Sequence, residues 1–143
     1  MKLKIKLKEG AELPEFKTKG SVGCDLKAFI PKDSLTVLLP NERVKIPTGL
    51  SIQLPVGFEA QIRPRSGLSF VQGLNVILGS IDYDFRGEIG IICHNISDKE
   101  IEIENGMRIA QMVISPIIQP QFIIVDELES TDRKGGFGST GTF

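Results

Sequence analysis

Leu35 to Pro64 reads "LTVLLPNERVKIPTGLSIQLPVGFEAQIRP". Short runs rich in Val, Ile, Leu and Phe are separated by Pro-Asn, Pro-Thr-Gly and Pro-Val-Gly. No run carries a 3.6-residue period, and each is closed by residues that favour turns. The pattern is strand, turn, strand. It recurs in "GEIGIICHNISDKEIEIENG", Gly87 to Gly106, and in "RIAQMVISPII", Arg108 to Ile118. Near the N-terminus "KLKIKLK" alternates strictly, which predicts a half-buried strand whose outward lysines suit a sheet edge. "SGLSFVQ", Ser66 to Gln72, is expected to wind at most one short helical turn. Many short strands at regular spacing predict a single all-β domain, a sandwich or barrel of the distorted jelly-roll type.

At 143 residues the chain fits one domain, large enough to bury a core without disulfides. Apolar content collapses beyond about Glu127. Residues 1–128 are therefore expected to form the jelly roll and 129–143 a flexible, glycine-rich C-terminal arm. Lys plus Arg number 17 against 18 Asp plus Glu, a net charge of −1. That balance argues against a general nucleic-acid or membrane-surface protein. No apolar run approaches a membrane span, and the alternating lysines near the start do not make a signal peptide. Cys24 and Cys93 show no paired spacing. We read them as reduced, half-buried small hydrophobes of a cytoplasmic protein.

Five stretches carry chemistry. "RKGGFGSTGTF", Arg133 to Phe143, contains a literal G-x-G-x-x-G, but the chain leaves no room for the helix a dinucleotide site requires. Its glycines allow close approach to a ligand. Ser139 and Thr140 offer hydroxyls, Arg133 a cationic fork and Phe137 an apolar face. Those are parts for closing over a nucleotide, and a disordered polar tail is the alternative. In "RPRSGLS", Arg63 to Ser69, Pro64 is expected to end a strand and Gly67 to permit a tight turn beside Arg65 and Ser66. That makes either an anion site or an ordinary turn. "GSIDYDFRGEIG", Gly79 to Gly90, carries Asp82 and Asp84 two apart, on one face if the segment is a strand. A carboxylate there could serve as general base or help hold a metal, or Asp-Phe-Arg-Gly could be a hairpin corner. In "VGCDLKA" Asp25 stands alone among apolar residues and needs a partner, either Arg65 or Arg108. In "NGMRIAQMVI", Asn105-Gly106 is a turn, and Arg108 and Gln111 interrupt an apolar strand. His94 is the only histidine. It is read as a strand-face residue, and multi-histidine metal sites are excluded.

Taken in order, Asp-Leu-x-Ala, Pro-Arg-Ser-Gly-Leu, Gly-x-Ile-Asp-x-x-aromatic-Arg-Gly-Glu, Arg-Ile-Ala-Gln and Gly-Gly-Phe-Gly-Ser-Thr-Gly resemble the five-motif series of trimeric deoxyuridine triphosphatases. The resemblance spans nearly the whole chain. It implies a β jelly roll assembled as a homotrimer with shared active sites, and cleavage of dUTP to dUMP and pyrophosphate with Mg²⁺ carried mainly by the triphosphate. By the same resemblance Asp82 is the catalytic carboxylate that activates water against the α-phosphorus. Asp25 orients Arg65 and the waters of the metal. Arg65, Ser66, Gly67 and Gln111 hold the phosphate chain. Phe85 packs on the deoxyribose and excludes a ribose hydroxyl. A hairpin from Asn75 to Ile81, with Gly79, reads uracil through its backbone. Phe137 stacks on the base while Arg133, Gly138, Ser139 and Thr140 complete the lid.

Three features depart from the family pattern. Phe85 replaces the usual tyrosine, Ile77-Leu78 stand where many relatives carry small residues, and "RKGGFG" is one residue shorter than the commoner motif. Two rivals share the fold: a dCTP deaminase, and a nucleotide-sensing trimer without turnover. The deaminases generally lack the Arg-Gly-Glu and Gly-Gly-Phe-Gly-Ser-Thr patterns. A sensor is expected to lose Asp82 or the tail.

Overall fold

The computed structural model describes residues 1–132, 135 and 136. Pro-Asn, Pro-Thr-Gly and Pro-Val-Gly all fall at junctions between strands, as the local chemistry dictates. β1 is Lys4–Leu7, β2 Cys24–Lys27, β3 Leu35–Leu38, β4 Arg43–Pro47, β5 Leu50–Gln53 and β6 Phe58–Pro64. A helix, α1, follows at Ser66–Gln72, then β7 Leu74–Val76, β8 Gly79–Ile81, β9 Gly90–Asn95, β10 Ile101–Glu104 and β11 Arg108–Pro116. The helix is longer than the single turn the sequence suggested. Gly73 ends it in the left-handed conformation, φ 71°, where only glycine sits without strain.

Among the described residues, no ladder joins two strands that are consecutive in sequence. The sheets run β1-β5, β10-β3, β2-β11-β6-β8 and β4-β9-β7, and every pairing is antiparallel. Each turn therefore carries the chain from one sheet to another, as a jelly roll requires.

The inner faces meet in one core. Leu26, Leu38, Ile46, Leu50, Leu74, Ile89, Ile91, Ile103 and Ile109 are fully buried. Cys24 and Cys93 are buried, deeper than the half-burial expected, and both are free thiols. Burial alone pushes the Cys93 thiol up to about 12, so it stays protonated and inert. The buried polar side chain of Asn95 is fully satisfied. Its Nδ2 donates to the carbonyls of Leu38 (2.9 Å) and Lys99 (2.6 Å), and its Oδ1 accepts from the Ser97 amide and hydroxyl. It joins β9 to the end of β3 and to the loop before β10.

Strand β11 breaks strict alternation. Its register against β2 slips between Arg108 and Ala110, so Ile109 is an extra, bulged residue. Counted along the ladder, Arg108 pairs with Lys27 and Gln111 with Asp25. Without the bulge, residues three apart would point to opposite faces; with it, Arg108 and Gln111 share the face of Asp25. No helix among the described residues is long and apolar enough to cross a membrane.

Candidate active site

The end of the central sheet gathers three of the sequence motifs. Asp25 on β2, Gln111 on β11 and Arg63 on β6 lie side by side in register, and Arg65 and α1 follow directly from β6. The Asp25 side chain is only 13% exposed, and both arginines proposed as its partner reach it. Arg65 Nε pairs with Oδ1 at 3.2 Å, and Arg108 Nη1 donates to Oδ2 at 2.9 Å. Arg65 Nη1 also donates to the Arg108 carbonyl at 2.8 Å. The guanidinium is thereby held at Nε and at Nη1, and among the described residues its Nη2 carries no hydrogen bond. Gln111 Nε2 donates to the Pro64 carbonyl at 2.9 Å, which holds the amide group in place and leaves its oxygen beside Gly23. A Cβ at Gly23 would stand 2.7 Å from that oxygen, so the glycine of "VGCDLKA" makes room for Gln111.

Asp25, Arg65 and Gln111 line an open cavity of about 470 Å³ with Ser66, Gly67, Leu68, Val71 and Gln72. Gly67 is not the turn residue the sequence suggested. It lies within α1, whose first intrahelical bond is from the Ser69 amide to the Arg65 carbonyl. The amides of Ser66, Gly67 and Leu68 precede that bond. An arginine whose Nη2 is open, a hydroxyl and the first amides of a helix are donors suited to phosphate oxygens. A wider depression of about 680 Å³ lies at the other end of α1, but its rim carries Asp98, Glu100 and Glu102 against Lys99, a net negative lining that disfavours an anion.

The remaining candidates lie elsewhere. Asp82 follows β8 and heads a turn closed by the Phe85 amide on the Asp82 carbonyl at 3.1 Å. Asp82 and Asp84 are therefore turn residues and do not share a strand face. Both are exposed, as is Phe85. Arg86 folds back, its Nη1 donating to the carbonyls of Tyr83 (2.7 Å) and Phe85 (2.8 Å). Glu88 serves structure. It accepts from the Gly49 amide at 2.8 Å and pairs with Lys8 at 2.6 Å. That Lys8 hydrogen bond, helped by the Gly49 amide, holds its carboxyl below the usual range.

Asn75 to Ile81 is not a hairpin whose arms pair with each other. Asn75 lies on β7, opposite His94 of β9, while Gly79 and Ile81 lie on β8, opposite Ile62 and Ala60 of β6. β7 and β8 are each the outer strand of their sheet, so each presents an edge of backbone donors and acceptors. Ile77 and Leu78 span the gap, Leu78 exposed. Of the arm, residues 129–132, 135 and 136 are described, and all are exposed. The candidates Arg133, Phe137, Gly138, Ser139 and Thr140 lie outside the described residues.

The register separates the two halves of the candidate site. Ile81 faces Ala60, and Arg65 lies five residues further along β6, roughly 16 Å at 3.3 Å per residue. Asp82 leaves β8 at the opposite end from Arg65. No side-chain rotation brings Asp82 into the cavity of its own chain.

A mostly β fold with one short helix thus presents a held arginine in a cavity whose donors suit an anion. The comparisons with known proteins sharpen that reading. The family model described as dUTPase matches residues 9–141. A deoxyuridine 5′-triphosphate nucleotidohydrolase from Hydrogenobaculum sp. (strain Y04AAS1) is 51% identical over 145 residues, covering 99% of both chains. The solved structure of the Staphylococcus bacteriophage 80alpha dUTPase with dUPNHPP superposes with a TM-score of 0.88 at 30% identity, covering 98% of each chain. A dUTPase from phage phi11 of S. aureus, described for its coordination of a structural Mg(II) ion, superposes with a TM-score of 0.82 at 27% identity. It covers 91% of this chain and all of its own. The chain belongs to the dUTPase family. Its activity is dUTP nucleotide hydrolysis, the activity named for its full-length relative.

Proposed function

We propose that the chain cleaves dUTP to dUMP and pyrophosphate as a homotrimer, each active site combining the Arg65 cavity of one subunit with the Asp82 turn of another. The observation that carries this reading is the separation of Asp82 from Arg65 along β6. The exposed apolar run after Pro116 supports it. Ile118, Phe122, Ile123 and Ile124 project into solvent from a single chain, a patch of the kind that marks an interface.

In this mechanism Arg65, the Ser66 hydroxyl, the α1 amides including Gly67, and Gln111 hold the phosphate chain. Asp82 takes a proton from water as the water oxygen bonds the α-phosphorus. The bond from that phosphorus to the bridging oxygen breaks, and pyrophosphate leaves with the electron pair. Most of the barrier reduction comes from positioning and charge neutralisation. The outer edges of β7 and β8, at Asn75, Gly79 and Ile81, offer backbone groups to uracil, and Phe85 walls the deoxyribose. The arm residues Arg133, Phe137, Gly138, Ser139 and Thr140 close over the nucleotide.

Magnesium fits as an ion carried by the triphosphate. Each Asp25 oxygen is engaged by one arginine and keeps acceptor capacity for a metal-bound water. Among the described residues there is no cluster of three or more His, Cys, Asp or Glu that could hold an ion directly. When bound, Mg²⁺ supplies charge neutralisation to the phosphates. Two buried reduced thiols favour a cytoplasmic setting, where the reaction limits uracil in DNA and supplies dUMP for thymidylate.

Pyrophosphate release compared across dUTP, dTTP, dCTP and UTP, with and without Mg²⁺, tests the substrate. Asp82→Asn is expected to bind dUTP and to lose about 100- to 10,000-fold in turnover, the range for a general base. Substantial hydrolysis by that variant refutes the role of Asp82.

A further inference from the structure

Gly87 sits beneath the Phe85 ring. A Cβ there would lie 2.5 Å from Phe85 Cζ, 2.9 Å from Cε2 and 3.3 Å from Cε1. The backbone of Phe85 is held independently, by its amide on Asp82 and its carbonyl on Arg86. What remains free to set the ring is its tip, and the tip rests where a side chain at Gly87 would begin. Gly87 does not adopt a left-handed φ. Its lack of a side chain therefore serves space and not backbone freedom.

We propose that Gly87 is a specificity-determining positioning residue: the absence of a Cβ sets the ring of Phe85, and through it the wall that rejects a ribose 2′-hydroxyl. The inference rests on the reading that Phe85 packs against the sugar. Alanine at this site must drive the ring tip away by about 1 Å to restore ordinary contact. The clashing atoms are the far end of a rotatable side chain, so the ring moves and the fold stays. The outermost atom of the wall shifts, while Asp82 and the phosphate cavity are untouched.

The test is kcat/KM for dUTP and for UTP in the parent, Phe85→Ala, Gly87→Ala and the double variant, with thermal melts of each. An apolar wall rejects an added hydroxyl by about 100-fold, so a displaced wall is expected to surrender about tenfold of the dUTP preference. The loss should appear in relative KM, with kcat on dUTP retained. Once the ring is absent, Gly87→Ala should change nothing further, so the double variant matches Phe85→Ala. Unchanged preference in Phe85→Ala removes the sugar-wall reading itself. Lost preference in Phe85→Ala with unchanged preference in Gly87→Ala, or additive effects in the double variant, overturns the role of Gly87. Should Gly87→Ala fail to fold, Phe85→Leu/Gly87→Ala decides. Recovery of the fold upholds the ring as the clashing group, and continued failure overturns it.

Discussion

Two inactive variants should repair each other when their subunits mix. Arg65→Gln removes the phosphate-binding fork from one end of β6, and Asp82→Asn removes the carboxylate beyond the other. Arg108 still holds Asp25 at 2.9 Å, so the first variant is expected to fold. Ala60, the partner of Ile81 next to Asp82, lies five residues before Arg65, roughly 16 Å, which exceeds the reach of either side chain toward a common phosphate. If each site takes Arg65 from one subunit and Asp82 from another, random reassortment of equal amounts draws an intact fork in half the sites. Independently it draws an intact carboxylate in half. About one quarter of sites then carry both, and the mixture should regain about one quarter of parental activity. The assay is pyrophosphate release from dUTP after the two variants are unfolded together in denaturant and refolded, with each refolded alone as control. A mixture no more active than the average of its parents would falsify the shared site, because it would mean that both residues act from one chain.

Other consequences are local. Gly49→Ala combines a left-handed φ of 69° with a Cβ 2.6 Å from that of Ala11, so it should cost about 3 kcal/mol in a denaturant titration. Glu88→Gln should lower the melting temperature at neutral pH but not in acid. The folded carboxyl lies below its ordinary value of 4.5, so its contribution is present above that pH and is lost as pH falls through the folded value. Melts of parent and variant should converge in acid, once the carboxyl is protonated in both folded and unfolded states, and a constant gap would count against the Lys8 pair. Alkylation at mildly alkaline pH should leave Cys24 and Cys93 unmodified until the chain is unfolded, since burial raises both thiols. Mass spectra showing native modification would contradict the packing.

The chemistry of single segments was legible without coordinates. Period-2 runs closed by Pro, Gly and Asn mark strands and turns because side-chain alternation and turn dihedrals are local properties. The need of Asp25 for a cation follows from burying a carboxylate, and the order of the five motifs pointed to the family. Two of the motif glycines were visible but mute. Gly23 and Gly87 are explained only by the Gln111 amide and the Phe85 ring that occupy the space a Cβ would take.

Pairing partners are set by distant residues, and there the sequence was silent. No turn signal says that β4 joins β9 or that β2 joins β11, since each ladder depends on a register between segments far apart in the chain. Asp82 and Asp84, open in the sequence between a strand face and a hairpin corner, fell in a turn. Gly67 fell within a helix and not at a tight turn, and Asn75 to Ile81 lie across two sheets and not in one hairpin. The bulge at Ile109, which turns Arg108 onto the face of Asp25, leaves no trace in an alternation count. By itself, then, the sequence determined an all-β chain carrying the parts of a dUTP site. The tertiary structure decided that Asp25, Arg65, Arg108 and Gln111 converge while Asp82 lies a strand's length away, because antiparallel register, and not proximity in the chain, sets which side chains can meet.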